Sequence, residues 1–98
     1  MATNIAPRHT QVVEVIDTAF GTLVREDYYR YPQQESNLYM LDSSSRPIWF
    51  AERAMGDDAY ANPIRRIGED KIKCASWKGF DCEIDLRTGR LINAAFTK

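Results

Sequence analysis

Apolar residues along this chain occur either in short continuous runs or in alternation with polar residues, and both patterns predict β-strands. Continuous runs cover 38–41 and 48–51, and a segment of turn-forming residues, 42–47, separates them. That order predicts a hairpin with a loop of about five residues. Because successive strand residues point to opposite faces, unbroken apolar runs predict central strands of a two-layer structure. Trp49, in the second run, is therefore expected to be buried.

A second hairpin is predicted over 71–86, where apolar and polar residues alternate. Lys78-Gly79 predicts a two-residue turn in which Gly adopts positive φ. In this register Trp77 faces Phe80, one face of the hairpin lies on the core, and the other lies in water. The predicted core face carries Ala75, Trp77, Phe80, Cys82, Ile84 and Leu86, and the wet face carries Asp81, Glu83 and Asp85.

The same register bears on the two cysteines, Cys74 and Cys82. It places them on opposite faces of the hairpin, with Cys82 in the core and Cys74 half-exposed, so we expect two free thiols. Their spacing matches no zinc-binding pattern, and no second Cys or His pair completes a site. The sequence therefore predicts no metal and no cofactor.

The segment 12–24 is open to two interpretations. The β-branched residues of 12–16 and the run 22–24, separated by a turn at Phe20-Gly21, predict a pair of strands. The alternative is a helix, because apolar residues also recur at helical spacing, at Val12, Val13, Ile16, Phe20, Leu23 and Val24.

The rest of the chain continues as a meander. Pro63 cannot donate to a ladder, so 63–67 is expected to be an edge strand. In the turn 87–89, Asp85 can accept from backbone donors and Gly89 can adopt a left-handed conformation. The last strand, 90–96, has no proline and is poorly protected against pairing with another chain if it lies at an edge.

Together these segments predict an all-β fold, an antiparallel meander of about 7–8 strands in a two-layer sandwich or two-blade-like arrangement. Residues 1–9 are expected to be a flexible N-terminal arm, and 10–98 a single β domain. The chain has 98 residues, which suits one domain.

Composition excludes several classes of function. Thirteen basic and 14 acidic residues give a net charge of −1, which provides no basic surface for nucleic acid. No run approaches the roughly 18 apolar residues that a membrane span requires. Residues 1–10 lack the apolar centre of a secretory signal. We therefore expect a cytoplasmic protein that binds neither nucleic acid nor membrane.

The two hairpins can be overlaid with a shift of 43 residues, which sets Leu41-Asp42 on Ile84-Asp85 and Ile48 on Leu91. A period near 40 is typical of propeller blades. Any two β-hairpins share the pattern of strand, turn and strand, so duplication and coincidence both stay open.

At these residues the chain resembles a known family. Segments 38–49 and 84–91 resemble the strand-turn-strand core of quinoprotein-type propeller repeats. The first segment departs from that pattern at Ser44-Ser45, where Thr-Gly is expected, and the second has Ile92 in place of Trp. The resemblance implies a propeller-blade-like fold. It does not imply quinone binding, because that depends on a complete propeller and this chain holds about two blades.

The part from Asn37 to Lys98 also resembles a group of short uncharacterised bacterial proteins, which implies a fold and no activity. The shared positions are Asn37-Leu38-Tyr39, Trp49, Ser76-Trp77, Gly79-Phe80, Ile84-Asp85, Thr88-Gly89 and Phe96-Thr97-Lys98.

The histidine and the paired carboxylates are the residues that could take part in catalysis, and neither forms a recognisable catalytic pattern. His9, the single histidine, lies in the predicted arm, whereas a catalytic triad needs a histidine oriented on a rigid frame. We interpret it as a solvated residue. The carboxylate pairs Asp57-Asp58 and Glu69-Asp70 lie in a predicted connection and a predicted turn, and the row Asp81, Glu83 and Asp85 is interpreted as the wet face of a sheet. The sequence therefore predicts no catalytic residue.

The strongest candidate for an interaction surface is the cluster Tyr28, Tyr29, Arg30 and Tyr31, because Tyr and Arg are over-represented at interface hot spots. Strand alternation would bury either Tyr29 or the pair Tyr28 and Arg30. We expect a non-catalytic protein-interaction or binding module that binds a protein partner or associates with itself through a sheet edge.

Two alternatives stay open. One is a small-molecule binder or enzyme whose site forms between subunits, and a pocket lined by Trp49, Trp77 and Tyr39 would favour it. The other is a structural subunit that completes a larger β-assembly.

Overall fold

The computed structural model describes residues 5–97, which form two four-stranded antiparallel sheets. The first sheet has the order β1-β2-β3-β4 and the second β5-β6-β7-β8, so the predicted all-β meander is confirmed. Within the described range, no helix is long and apolar enough to cross a membrane. The strands are β1 (Val12–Thr18), β2 (Gly21–Glu26), β3 (Leu38–Leu41), β4 (Pro47–Phe50), β5 (Arg65–Arg66), β6 (Lys71–Ala75), β7 (Phe80–Asp85) and β8 (Leu91–Phe96).

Residues 12–24 form the β1–β2 hairpin, so the helical alternative is wrong. Thr18 pairs with Gly21, and its hydroxyl stabilises the turn by donating to the Gly21 carbonyl (2.9 Å) and accepting from the Phe20 N–H (3.0 Å). Burial alternates along β1, with Ile16 packed against the core. A strand is formed here instead of a helix because β1 is an edge strand of a sandwich, which needs to bury only one apolar face.

The main core lies between the two sheets. Its fully or nearly fully buried members come from both layers: Leu23, Leu38, Met40, Ala51, Tyr60, Ile64, Ile72, Cys74, Cys82, Ile84 and Leu86. A second cluster, Val24, Tyr39 and Leu41, lies on the outer face of the first sheet, where Ile5 and Val12 cover it. The strand β3 is therefore buried on both faces, as its unbroken apolar run predicts.

The matching prediction for 48–51 is wrong, because β4 is the edge of its sheet. Ile48 is 49% exposed and Phe50 39% exposed. Trp49 is only partly buried, and its indole N–H donates to the Leu86 carbonyl (3.1 Å). An unbroken apolar run indicates burial on two faces only when other parts of the protein cover both faces of the strand. Among the described residues, none fully covers the face of β4 that carries Ile48 and Phe50.

The β6–β7 register differs by one residue from the prediction. The Ser76 N–H donates to the Phe80 carbonyl (2.8 Å), so the loop has three residues, and Gly79 adopts φ 99° at its last position. Cys74 consequently lies directly opposite Cys82, on the same face of the hairpin. Both thiols are free and buried. The predicted half-exposed position of Cys74 is therefore wrong.

The same shift changes the other face of the hairpin. Lys73 pairs with Glu83, and the Lys71 ammonium lies 3.8 Å from the Glu83 carboxylate, so these lysines share the wet face with the acidic row. Trp77, predicted to face the core, lies in the loop and is 58% exposed. Because side chains alternate with a period of two, one residue of slip is enough to exchange the faces.

The β3–β4 and β7–β8 hairpins correspond in pairing as well as in sequence. Leu41 pairs with Pro47, Ile84 pairs with Leu91, and each hairpin has a register shift next to that pair. The offset is 43 residues in the first strand and 44 in the second, because the second turn is one residue longer. The overlay of Ile48 on Leu91 is therefore wrong by one residue.

Candidate functional site

Three connections meet at one end of the sandwich and enclose a cavity of about 440 Å³, which we call the aromatic pocket. They are the β2–β3 loop, the connection between β4 and β5, and the β6–β7 loop. Its lining residues are Tyr28, Tyr29, Arg30, Tyr31, Pro32, Gln33, Asp57, Asp58, Ala59 and Trp77.

The predicted tyrosine cluster forms a turn and not a strand. The Asp27 carboxylate accepts from the Tyr29 N–H (3.0 Å), and the Tyr28 carbonyl accepts from the Tyr31 N–H (3.2 Å). Arg30 adopts φ 64°, which no strand residue does. Tyr31 alone is buried, whereas Tyr28 is 38% and Tyr29 65% exposed, so neither alternating pattern of burial is correct.

The opposite wall of the aromatic pocket comes from residues far along the chain. The Trp77 N–H donates to the Ala59 carbonyl (2.8 Å), which joins the β6–β7 loop to the connection between β4 and β5. The Arg53 guanidinium donates to the carbonyls of Gln33 (2.7 Å) and Asp58 (3.2 Å). Arg53 therefore holds the two sides of the pocket together without lining it.

Asp58 is the most buried charged residue of the lining, at 3% exposed. Its Oδ1 atom accepts from the backbone N–H groups of Ala59 (2.8 Å) and Lys78 (3.0 Å). Its Oδ2 atom is buried and has no hydrogen-bond partner among residues 5–97. Leaving a buried acceptor unpaired costs about 1–3 kcal/mol, and more for a charged group. A buried acceptor without a donor therefore lies in the wall of the pocket, out of contact with solvent.

The other charged residues around the pocket are compensated. The Lys78 ammonium lies 3.0 Å from the Asp57 carboxylate, and this hydrogen bond holds the pKa of Asp57 below its usual value. The Arg30 guanidinium lies 5.5 Å from the centre of the Tyr29 ring, a cation–π contact. Asp58 forms no ion pair with another side chain in the range 5–97, and the Arg53 guanidinium lies 3.2 Å from its backbone carbonyl.

A second polar cluster fixes the N-terminal segment to the first sheet. The Glu26 carboxylate is fully buried and accepts from the backbone N–H groups of Arg8 (2.6 Å), His9 (3.1 Å) and Thr10 (3.0 Å). The Tyr39 hydroxyl donates to the same carboxylate. Burial opposes ionisation of Glu26, but the hydrogen bonds outweigh it and hold its pKa below the usual value.

His9 is held within this cluster and is not a solvated tail residue. Its Nε2 atom lies 3.1 Å from a Glu35 carboxylate oxygen, and its ring stands edge-on to Tyr31 with centroids 5.1 Å apart. Burial, then the charges of Glu26 and Glu35, raise the pKa of Tyr31 to about 12. The Tyr31 hydroxyl therefore keeps its proton near neutral pH.

Burial also lowers the reactivity of the two cysteines. Burial raises the pKa of Cys74 to about 12 and also raises the pKa of Cys82. Since the thiolate is the reactive form, neither thiol has the character of a nucleophile.

A larger cavity, of about 550 Å³, lies beside the N-terminal segment, but its charges are already engaged. The Arg8 guanidinium lies 3.5 Å from Glu35 and 4.8 Å from the centre of the Phe50 ring. The Glu52 carboxylate accepts from the Leu91 N–H (2.8 Å). The charged groups of Arg8, Glu35 and Glu52 in this cavity are therefore engaged in contacts within the protein.

The pocket that would favour a small-molecule site, lined jointly by Trp49, Trp77 and Tyr39, does not form. Trp77 lines the aromatic pocket, Tyr39 lines a different cavity on the outer face of the first sheet, and the Trp49 ring lies against Gly89. The three aromatic residues belong to separate parts of the fold.

The sequence does not predict the positions of two pocket residues. It predicts Trp77 on the core face of the hairpin, although a Gly two positions later fits a three-residue hairpin loop that would expose it. Asp58 is indistinguishable in sequence from its neighbour Asp57, and only the fold buries one and exposes the other.

Comparisons with protein-family models, with curated proteins and with solved structures found no match to this chain. The function of the aromatic pocket is therefore argued from its own geometry.

Proposed function

We propose that this protein is a non-catalytic interaction module that binds a segment of a partner protein at the aromatic pocket. The observation that carries the proposal is the rim of exposed rings, Tyr28, Tyr29 and Trp77, around a buried carboxylate. Tyr and Trp provide large contact areas with few rotatable bonds, which is why they dominate binding hot spots.

The frame around the rim favours binding without rearrangement. Arg53 fixes the β2–β3 loop, and the Trp77 N–H bond fixes the β6–β7 loop. The buried ring of Tyr31 anchors the turn that displays Tyr29. A pocket that is held in shape before binding loses less conformational entropy when a partner binds.

The two quiet thiols and the predicted cytoplasmic location are consistent with each other, because buried free cysteines persist in a reducing compartment. Location and partner are both part of the proposal.

Selection of a random peptide library displayed on phage tests this function. Enriched peptides should bind the wild type, and should bind the double variant Tyr29→Ser/Trp77→Ser at least about tenfold more weakly, because a hot-spot aromatic contributes 2 kcal/mol or more. The matched control is Ile92→Ser, which removes an apolar side chain 48% exposed from the end of β8 that lies away from the β6–β7 loop.

The control variant should bind the peptides as the wild type does. Binding that is lost in Ile92→Ser and retained in the double variant would move the interface to the β8 edge and refute the assignment to the aromatic pocket. Failure to enrich any peptide would also count against it.

A further inference from the structure

The hydrogen-bond acceptors in the wall of the aromatic pocket are occupied or out of reach. Several lining residues have backbone carbonyls that already accept a hydrogen bond within the protein: Tyr28, Gln33, Asp58 and Ala59. The Asp58 carboxylate adds no acceptor, because Oδ1 is bonded to two backbone N–H groups and Oδ2 is out of contact with solvent. A peptide N–H that enters the pocket therefore loses its water without gaining a partner, which is unfavourable.

The pocket also lacks the features that bind a strand or a helix. Its lining lies in the connections between strands, and N–H groups of these connections are bonded within the protein: Tyr29, Tyr31, Ala59, Trp77 and Lys78. Addition of a strand needs a row of unpaired backbone groups, which these bonds remove. A helix with its side chains is about 10–12 Å wide, whereas a cavity of about 440 Å³ equals a cube roughly 8 Å on a side.

The exposed charges of the lining are already engaged. The Asp57 carboxylate lies 3.0 Å from the Lys78 ammonium, and the Arg30 guanidinium lies 5.5 Å from the centre of the Tyr29 ring. A charged side chain of a partner would give up hydration here without meeting an unmatched opposite charge. The pocket therefore favours a neutral segment.

The surface that remains for contact is aromatic. Tyr28 is 38%, Tyr29 65% and Trp77 58% exposed, and Pro32 lines the pocket beside them. A proline in the partner has an apolar ring for these faces and no N–H that must find an acceptor. Proline-rich segments are extended before they bind, so they lose little conformational entropy in an aromatic groove. Their carbonyls can accept from phenol hydroxyl groups, which Tyr28 and Tyr29 supply at the rim.

We infer that the aromatic pocket recognises a proline-rich part of the partner segment in the polyproline II conformation, with its proline rings packed on Tyr29 and Trp77. One turn of that conformation has three residues and rises about 9 Å, which matches the size of the cavity. The inference rests on the proposed function and specifies the composition and conformation of the partner segment.

Titration of the ¹⁵N-labelled wild-type protein with acetylated and amidated peptides tests the chemistry directly. The peptides are hexaproline, hexaproline with its two central residues replaced by alanine, and hexaproline extended by a terminal lysine or glutamate. Hexaproline should shift the backbone amide signals of Tyr29 and Trp77 and bind at least about tenfold more tightly than the alanine-containing peptide. The terminal charges should change the dissociation constant by less than about threefold, because they find no unmatched partner.

Variants of the protein locate the contact. Tyr29→Ser/Trp77→Ser should weaken the binding of hexaproline at least about tenfold, as expected for hot-spot aromatics. Tyr28→Phe/Tyr29→Phe keeps the rings and removes the hydroxyl groups, so it should weaken binding less. Ile92→Ser, the matched control on β8, should bind hexaproline as the wild type does. The comparison of peptides on the wild type stands even if a variant folds poorly.

The outcomes distinguish this inference from the function on which it rests. Equal affinity for hexaproline and the alanine-containing peptide, or unmoved Tyr29 and Trp77 amides at millimolar hexaproline, overturns the assignment to proline. A tenfold gain from the terminal lysine or glutamate overturns the neutral character of the ligand. If selected phage peptides need Tyr29 and Trp77 but tolerate replacement of every proline, the interaction module stands and the inference fails. If neither the selected peptides nor hexaproline lose affinity for the serine double variant, both proposals fail.

Discussion

Glu26 offers the sharpest test of how the N-terminal segment is held, because one buried carboxylate accepts hydrogen bonds from four donors. In Glu26→Gln one oxygen becomes an NH₂ group. The Oε1 atom accepts from the backbone N–H groups of His9 and Thr10, so two bonds are lost if Oε1 is replaced. One bond, from Arg8, is lost if Oε2 is replaced, because the Tyr39 hydroxyl can turn and accept from the new NH₂ group.

The magnitude follows from this count. Hydrogen bonds to charged groups contribute about 1.5–3 kcal/mol each, so the loss of one or two of them amounts to about 1.5–6 kcal/mol. Backbone N–H groups of a released segment regain water, which reduces the loss, and we expect a decrease of about 2–4 kcal/mol in the free energy of unfolding at pH 7. That is a large fraction of the stability of a typical domain, about 5–15 kcal/mol.

The effect of Glu26→Gln should depend on pH with a defined sign. Because the pKa of Glu26 is lowered in the folded state, its contribution is complete above the unfolded pKa, about 4.3, and is lost as pH falls through the folded pKa. The difference in stability between wild type and variant should therefore be largest at neutral pH and should shrink towards pH 3.

Urea unfolding at several pH values measures the difference, and hydrogen exchange of the Arg8, His9 and Thr10 amides shows whether the segment is released. Tyr39→Phe is the control, because it removes one donor and keeps the carboxylate, so it should cost less and keep the pH dependence. A Glu26→Gln protein within about 0.5 kcal/mol of the wild type, the range of ordinary surface substitutions, with those amides still protected would refute this reasoning.

Three further predictions concern packing, thiols and association. Gly89→Ala should lower the free energy of unfolding in urea by about 2 kcal/mol or more, because Gly89 has φ 75° and an added Cβ would lie 2.5 Å from the Trp49 ring. Cys74 and Cys82 should react with a thiol reagent only as fast as the protein unfolds, since both are buried and have raised pKa values, and rapid labelling of native protein would contradict this. The edge strand β8 should mediate self-association in light scattering at micromolar concentration, and Phe96→Lys should weaken it. A monomeric wild type would exclude that association.

Each of these three predictions has a matched control measurement on the same protein. Gly68→Ala adds a Cβ with nothing within 4 Å and should be nearly neutral in urea unfolding. Thiol labelling in concentrated urea should reach both cysteines at once. Val13→Lys places the same charge on the opposite edge, at a residue 47% exposed on β1, and should leave association through β8 unchanged.

The turns of the β3–β4 and β7–β8 hairpins were determined by sequence alone. Asp85 accepts from the Arg87 N–H (2.8 Å) and Gly89 adopts φ 75°, as the turn 87–89 predicts. Asp42 makes the corresponding bond to the Ser44 N–H (2.8 Å) in the other hairpin. These features depend on residues within a few positions of one another, so local propensity is sufficient to specify them. The number and order of strands follow, because each turn defines the ends of two of them.

The faces of the strands, and with them the candidate site, were decided by tertiary structure. One residue in the length of the β6–β7 loop placed Cys74 opposite Cys82 and Trp77 at the surface. Glu26 finds its donors in the N-terminal segment, and Asp58 meets Trp77 and the tyrosine turn only when three connections converge. Burial and hydrogen-bond satisfaction are properties of the whole packed chain, so residues of identical type, such as Asp57 and Asp58, acquire different roles that no local pattern can distinguish.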